Sequence, residues 1–470
     1  MSFTIRNAAP KARHHEIQRQ GEMLVTMQFI SRIRARTALW SGIAVALFTV
    51  CAPTSASERL LAFPGALGWA ADTTGGRGGK IIRVTTLSPT GPGSLLEALD
   101  TEGPRIVVFE VGGVIDLAQH EIKITQPFLT IAGHTAPSPG ITLIKTGIDV
   151  MTHDVIIQHI RVRTGSAAET TRGWSPDALS TVNAYNLIVD HCSMTWGIDE
   201  NLSASGPRFS GKTPDEWRQA VSHRITYSNN IIAEGLSRST HPKFEHSKGS
   251  LIHDNVSDIL LIGNLYAHNY ERNPLFKGGA RGMVINNLIY NPGPRAVHYN
   301  LIPEEWYGRK FENGQMTLVG NVLRGGPSTP PGLPLFMLGG SGDIEMYEED
   351  NIAVDWTGSP LPKSGRYTTS RARILPLAKP KYPTGVAPIA ALDVEESVIK
   401  NAGARPWDRD PIDSRIVADT VEGRGEIIDH EDQVGGYPQY KETRQAFNER
   451  DWDLATMVPR VAPTKQNVPR

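Results

Sequence analysis

The sequence predicts an all-β chain wound as a single-stranded, right-handed parallel β-helix, and three observations lead there. A short pattern recurs from Asp154 onward: an alternating apolar strand, a polar pivot, then one or two more apolar positions. It is seen in HDVIIQHIRVR, YNLIVDHCSMTW, SHRITYSNNIIAE, VSDILLIGNLYAHN, ARGMVINNLIYN, NGQMTLVGNVLRGG and GDIEMYEEDNIAV. The pivots are His159, His191, Asn230, Asn264, Asn287, Asn321 and Asn351, about 23 to 39 residues apart, which is the range of solenoid repeats with loops of variable length. Second, 45 glycines and 33 prolines imply many turns. Third, 470 residues without long low-complexity stretches can bury a large core. Stacked coils place equivalent side chains above one another, so the pivot asparagines can hydrogen-bond along the stack. A β-sandwich has no reason to repeat asparagine at one place in each strand pair.

In chain order, the first 57 residues read as a leader. Arg32, Arg34 and Arg36 precede an apolar run from Ala38 to Cys51, the length of a signal-peptide core and short for a bilayer span. Small residues follow, suiting a cut near Ala56; Met23 and Met27 are alternative starts. Once the leader is removed, Cys192 is the only cysteine and no intrachain disulfide can form. Residues 58–360 form the β-helix. It opens on Gly-rich turns and a short capping helix in GPGSLLEAL, with Ser94 as N-cap and Glu97 three residues later. The coil pattern fades after Asp355. Residues 361–470 are rich in proline and charge, with one helix near Ala391 to Asn401 and a second helical stretch in RPWDRDPIDSRIVADTVEG. They are expected to pack along the outside of the solenoid rather than form a separate domain. The net charge of −1 points to neither nucleic acid nor an anionic membrane surface.

The stretch AFPGALGW…TGGRGGKIIRVTTL…GPGSLLEAL, followed by IVDHCS and ERNPLFKGG, resembles polysaccharide lyase family 1, the pectate lyase family. The similarity runs from about Ala62 to Asn351 and is greatest to the branch with W-x-x-D-E after V-D-H. The tail ARPWDRDPIDSRIVAD is similar to bacterial members. The resemblance implies a pectin lyase-like β-helix that cleaves polygalacturonate-type acidic polysaccharide by Ca²⁺-assisted β-elimination. It also implies a secreted or periplasmic bacterial protein, with a monomer expected, and no nucleic-acid or membrane partner once the leader is gone.

Elimination removes the proton at C5 of a uronate, next to an ionised carboxylate that activates it poorly. A cation offsets the second charge that would gather there, and Ca²⁺ suits oxygen ligands. Asp177 in GWSPDALS aligns with a family calcium ligand, and Asp199 and Glu200 in WGIDENLS fall in the other ligand region. Without that context Asp177 caps a turn and Asp199–Glu200 are a solvated pair. Two family carboxylates are absent: Ser175 and Ser203 stand in their places, so a thinner metal site is expected.

Arg272 in YERNPLFKGG matches the family's R-x-P-x-x-[RK]-G-G, whose arginine is the proposed base. An arginine pKa above 12 leaves two roles open, transient proton acceptor or stabiliser of the developing charge. Lys277 matches the second basic position of that motif, and Lys248 in EHSKGSLI aligns with a lysine that contacts the uronate. His246, with His241 in the same loop, is a further candidate for substrate or metal. His191 sits on a pivot and reads as a ladder histidine oriented by Asp190, not as a catalyst. Trp174 and Trp196 fit sugar stacking or core packing equally. A β-helix polygalacturonase-like hydrolase and a non-catalytic carbohydrate-binding β-helix are the alternative readings.

Overall fold

The computed structural model describes residues 60–460; the expected leader lies outside them. Three parallel sheets account for the solenoid. The first has eleven strands, from Lys80–Val84 to Ile374–Pro376; the second has nine, from Ile122–Ile124 to Ser364–Arg366. The third runs from Val111–Asp116 to Ile352–Val354 and gains one antiparallel strand, Thr443–Arg444, from the tail. The coils therefore continue past Asp355, where the apolar alternation fades, because backbone pairing persists at the end of the stack after the side chains turn polar.

One coil shows how the sequence makes this shape. Tyr185–Asp190 lies in the first sheet, the chain bends at His191, Ser193–Thr195 joins the third sheet, and Leu202–Ser205 joins the second. Period-two alternation sends Leu187 and Val189 inward, where register stacks them on Val155 and Ile157 below and Ile225 and Tyr227 above. Such apolar columns fill the interior.

The bend is where the sequence reading needs correcting. His159, His191, Asn229, Gly263, Asn286, Gly320 and Asp350 occupy it with φ between 49° and 69°. That left-handed conformation favours glycine, asparagine, aspartate and histidine. His159 and His191 are thus one position ahead of the asparagines. The hydrogen-bonded ladder starts at Cys192 and runs through Asn230, Asn264, Asn287 and Asn321 to Asn351, each backbone N–H donating to the next asparagine's Oδ1 at 2.8–3.1 Å. The histidines form their own stack: His191 lies 5.2 Å from His159, and its Nδ1 is 2.8 Å from Asp190. Replacing fully buried Asn264 with alanine strands Asn230 and the Tyr227 carbonyl. We expect a loss of about 1–3 kcal/mol, read from the urea unfolding midpoint.

Helix α1 (Leu95–Asp100) turns Leu95, Ala98 and Leu99 into the core at the N-terminal end, with Ser94 accepting from the Glu97 N–H. Helix α2 (Pro214–Ala220) lies between coils. Residues 61–71 cover part of the first sheet's outer face, and Phe447 and Met457 cover another part. Helices α3 (Ala391–Asn401) and α4 (Pro411–Glu422) cover the third sheet, setting Val394, Val398, Ile412 and Ile416 on Ile231, Leu265 and Leu288. Beneath α4, Arg163 lies 2.8 Å from Asp410 and 2.9 Å from Asp413, all three side chains fully buried. The second sheet instead presents a polar outward row, Lys123, Asp149, Ser180 and Ser203. Among the described residues no helix is long and apolar enough to cross a membrane.

Candidate functional site

The turns that lead into the second sheet carry the chemistry. Asp177 and Glu200 each sit two residues before a strand, and Leu179 pairs with Leu202, so solenoid register brings the two carboxylates to adjacent coils. The Glu200 N–H donates to Asp177 Oδ1 at 2.9 Å. Lys248 pairs with Glu200 in parallel fashion, and Glu271 with Lys248, continuing the column one coil at a time. Buried amides fix the turns from below. Asn201 donates to Asn269 at 3.0 Å and Asn269 to Asn273 at 3.1 Å, while Asn201 Oδ1 accepts from the Gly197 N–H.

Asp177, Asp199 and Glu200 each place a carboxylate oxygen within 4.8 Å of the other two. Burial, with Asp199 beside it, pushes the Asp177 carboxyl well above its usual range. Ser203 does not leave a gap where a further carboxylate was expected. Its hydroxyl donates to Asp177 Oδ2, and its Oγ lies 3.0 Å from the Ser180 hydroxyl, from which it can accept. Arg272 enters the cluster from two coils away, with φ 65° at its backbone and its guanidinium against Glu200. Burial draws that guanidinium below its ordinary value, opposed by Asp199 and Asp177.

His246 is buried with Nε2 2.5 Å from Asp199 Oδ1, and the His241 ring stacks on it at 3.7 Å and 9°. Against the raising effect of burial, His246 holds Asp199 below its ordinary value, while burial and His246 bring His241 down to about 4. Asp199, His241 and His246 also satisfy the spacing of a metal group. However, parallel rings this close cannot both aim an in-plane nitrogen lone pair at one ion. The Lys243 N–H also donates to His241 Nδ1, leaving the Nε2 proton facing Asp199. The histidines support Asp199; the three carboxylates, hard oxygen donors, fit Ca²⁺.

Lys248 and Lys277 are both engaged. Lys248 Nζ lies 2.6 Å from Glu271 Oε1, and Lys277 is paired with Glu305, which Arg208 shares at 3.1 Å. Of the residues singled out in the sequence, Asp177, Asp199, Glu200 and Arg272 lie together, with His246 against Asp199. The sequence reading missed Glu271, Arg295, Glu305 and Tyr367. Arg295 was recoverable: the offset that pairs Leu275 with His298 also carries Arg272 onto Arg295, one coil further along. Arg295 pairs with Glu271 and lies 4.7 Å over the Tyr367 ring. Trp196 is fully buried and donates to Glu234, and Trp174 donates to the Gly165 carbonyl, so both serve packing.

Carboxylates and a guanidinium thus gather at the turns of a stack of parallel coils, along one polar sheet. No family model matches the chain. A probable pectate lyase C of Neosartorya fischeri is 32% identical over 398 residues, covering 83% of this chain and 84% of that protein. Its counterpart in Emericella nidulans is 32% identical, covering 83% of each chain. The chain belongs to the pectate lyase family. Both relatives are fungal, whereas the sequence reading placed the chain beside bacterial members. Among solved structures, a thermostable pectate lyase, PL 47, matches with TM-score 0.48 and 15% identity, covering 72% of this chain and 97% of that one. The cedar pollen allergen Jun a 1 matches at 0.46 and 15%, covering 72% and 92%.

Proposed function

We propose that this chain cleaves polygalacturonate-type polysaccharide by β-elimination, with Ca²⁺ held by Asp177, Asp199 and Glu200. The observation that carries the reading is the Arg272 guanidinium set against Glu200 in the same cluster as Asp177 and Asp199. Bound there, Ca²⁺ supplies positive charge to the substrate carboxylate as C5 becomes electron-rich. Arg272 faces C5, as proton acceptor or as stabiliser of the developing charge. The C5 proton leaves to Arg272 or to solvent, its electron pair forms the C4–C5 double bond, the C4–oxygen bond breaks, and the departing oxygen takes up a proton, so no water is consumed. Lys248, Lys277 and Arg295 bind neighbouring uronates. We assign His246 to holding Asp199 rather than to touching the polymer. The leader read in residues 1–57 supports export, and the described residues after the last coil strand, 377–460, form an extension along the coils.

Chelation is the test. We expect EGTA to remove most of the ultraviolet absorbance rise produced from polygalacturonate, and added Ca²⁺ to restore it. Asp177→Asn should raise the Ca²⁺ requirement about tenfold or more, since it removes one charged ligand from a small set. Full elimination activity in EGTA contradicts the calcium reading. Reducing ends appearing without the absorbance rise indicate a hydrolase instead.

A further inference from the structure

Glu271 is a buried carboxylate between two cations contributed by different coils. Its Oε1 lies 2.6 Å from Lys248 Nζ, and its Oε2 is paired with Arg295. Only 9% of the residue is exposed, and the Lys248 side chain is 5% exposed. The parallel bridge from Lys248 to Glu271 fixes the backbone of both. Arg295 is braced on its other side by the Tyr367 ring and Lys248 by the Tyr270 ring, at 4.7 and 5.2 Å. Against burial, which raises it, Lys248, His298 and Arg295 hold the Glu271 carboxyl down to about 2, so it stays ionised at any working pH.

A carboxylate shared by an ammonium and a guanidinium constrains both. A lysine has a long flexible stem and loses much rotamer freedom when fixed; here that ordering is done before substrate arrives. Glu271 is also the chain neighbour of Arg272, so the segment that places Arg272 also fixes the two flanking cations. We propose that Glu271 is a positioning residue for the elimination reaction: it holds Lys248 and Arg295, on coils either side of its own, where they receive uronate carboxylates. This rests on the polygalacturonate reading above. Glu271 does not touch substrate, and it acts through the two cations.

The experiment is a double-mutant cycle on the full chain, with KM and kcat for polygalacturonate measured separately and unfolding followed in parallel. Glu271→Gln should raise KM about tenfold, the scale of one lost charge-assisted hydrogen bond, with kcat within about threefold of wild type. In a Lys248→Ala background the same change should raise KM less than about threefold further, because one of the two cations it orders is already gone. Glu271→Asp, which keeps the charge, should recover part of the loss and supplies the measurement if the glutamine variant does not fold. Unchanged KM in a folded Glu271 variant, or fully additive losses in the cycle, overturns the proposal. Wild-type protein with no elimination activity on polygalacturonate overturns the functional reading instead, so the two failures are distinct.

Discussion

Arg272→Ala lowers elimination activity on polygalacturonate by about three orders of magnitude or more, the upper range for a group acting on the transferred proton. The variant keeps its coils, because the turn around Arg272 is held by backbone and amide contacts that do not use its side chain. The Gly249 and Ser250 N–H groups donate to the Glu271 and Arg272 carbonyls, and Asn273 bonds to Asn269. Loss should fall mainly on kcat, since Lys248, Lys277 and Arg295 remain to bind the polymer. A kcat within about tenfold of wild type, measured from the initial absorbance rise, removes Arg272 from its assigned role.

The largest effect on stability lies elsewhere. Arg163→Ala should cost about 3–5 kcal/mol, because it leaves buried acids short of their counter-charge. Arg163 meets Asp410 and Asp413 and donates to Thr195 at 2.9 Å; Arg161, 3.2 Å from Asp413, is the remaining cation of the set. These contacts fasten α4 to the third sheet, so in Arg163→Ala the tail should exchange its amide hydrogens faster than it does in wild type, with the coils little changed. The pH dependence has a definite sign. Against burial, which raises it, Arg163 and Arg161 hold Asp410 well below its ordinary value. Its contribution is therefore full above that ordinary value and is lost as the pH falls below it. Thermal unfolding across acidic pH should show a steep slope in wild type and a shallower one in Arg163→Ala. Equal midpoints for the two proteins at neutral pH contradict this account of the tail.

The coils were legible because apolar alternation and stacked asparagines are both properties of the local sequence. The bend was misread by one residue at His159 and His191. Histidine serves the left-handed position there, while Cys192 takes the ladder position through its backbone alone. Helix α3 and the Ser94 cap were readable from spacing and capping chemistry. The acid cluster was readable through Asp177, Asp199 and Glu200, which lie near one another in sequence and on adjacent coils. Glu271 was not, since a charge beside a turn reads as solvated until register shows what faces it. His246 read as a loop histidine open to substrate or metal because the packing that buries it against His241 and Asp199 is long-range. Ser203 looked like a lost ligand, and only its hydrogen bond to Asp177 shows that it still serves that carboxylate.

The central claim is that Arg272 and the three carboxylates together carry out β-elimination. It is tested most directly by incubating wild-type protein and Arg272→Ala with polygalacturonate and Ca²⁺, following unsaturated ends by ultraviolet absorbance alongside reducing ends. The account predicts that both signals rise together in wild type and that neither rises appreciably in the variant. Reducing ends without unsaturation in wild type, or equal unsaturation in the two proteins, would contradict it.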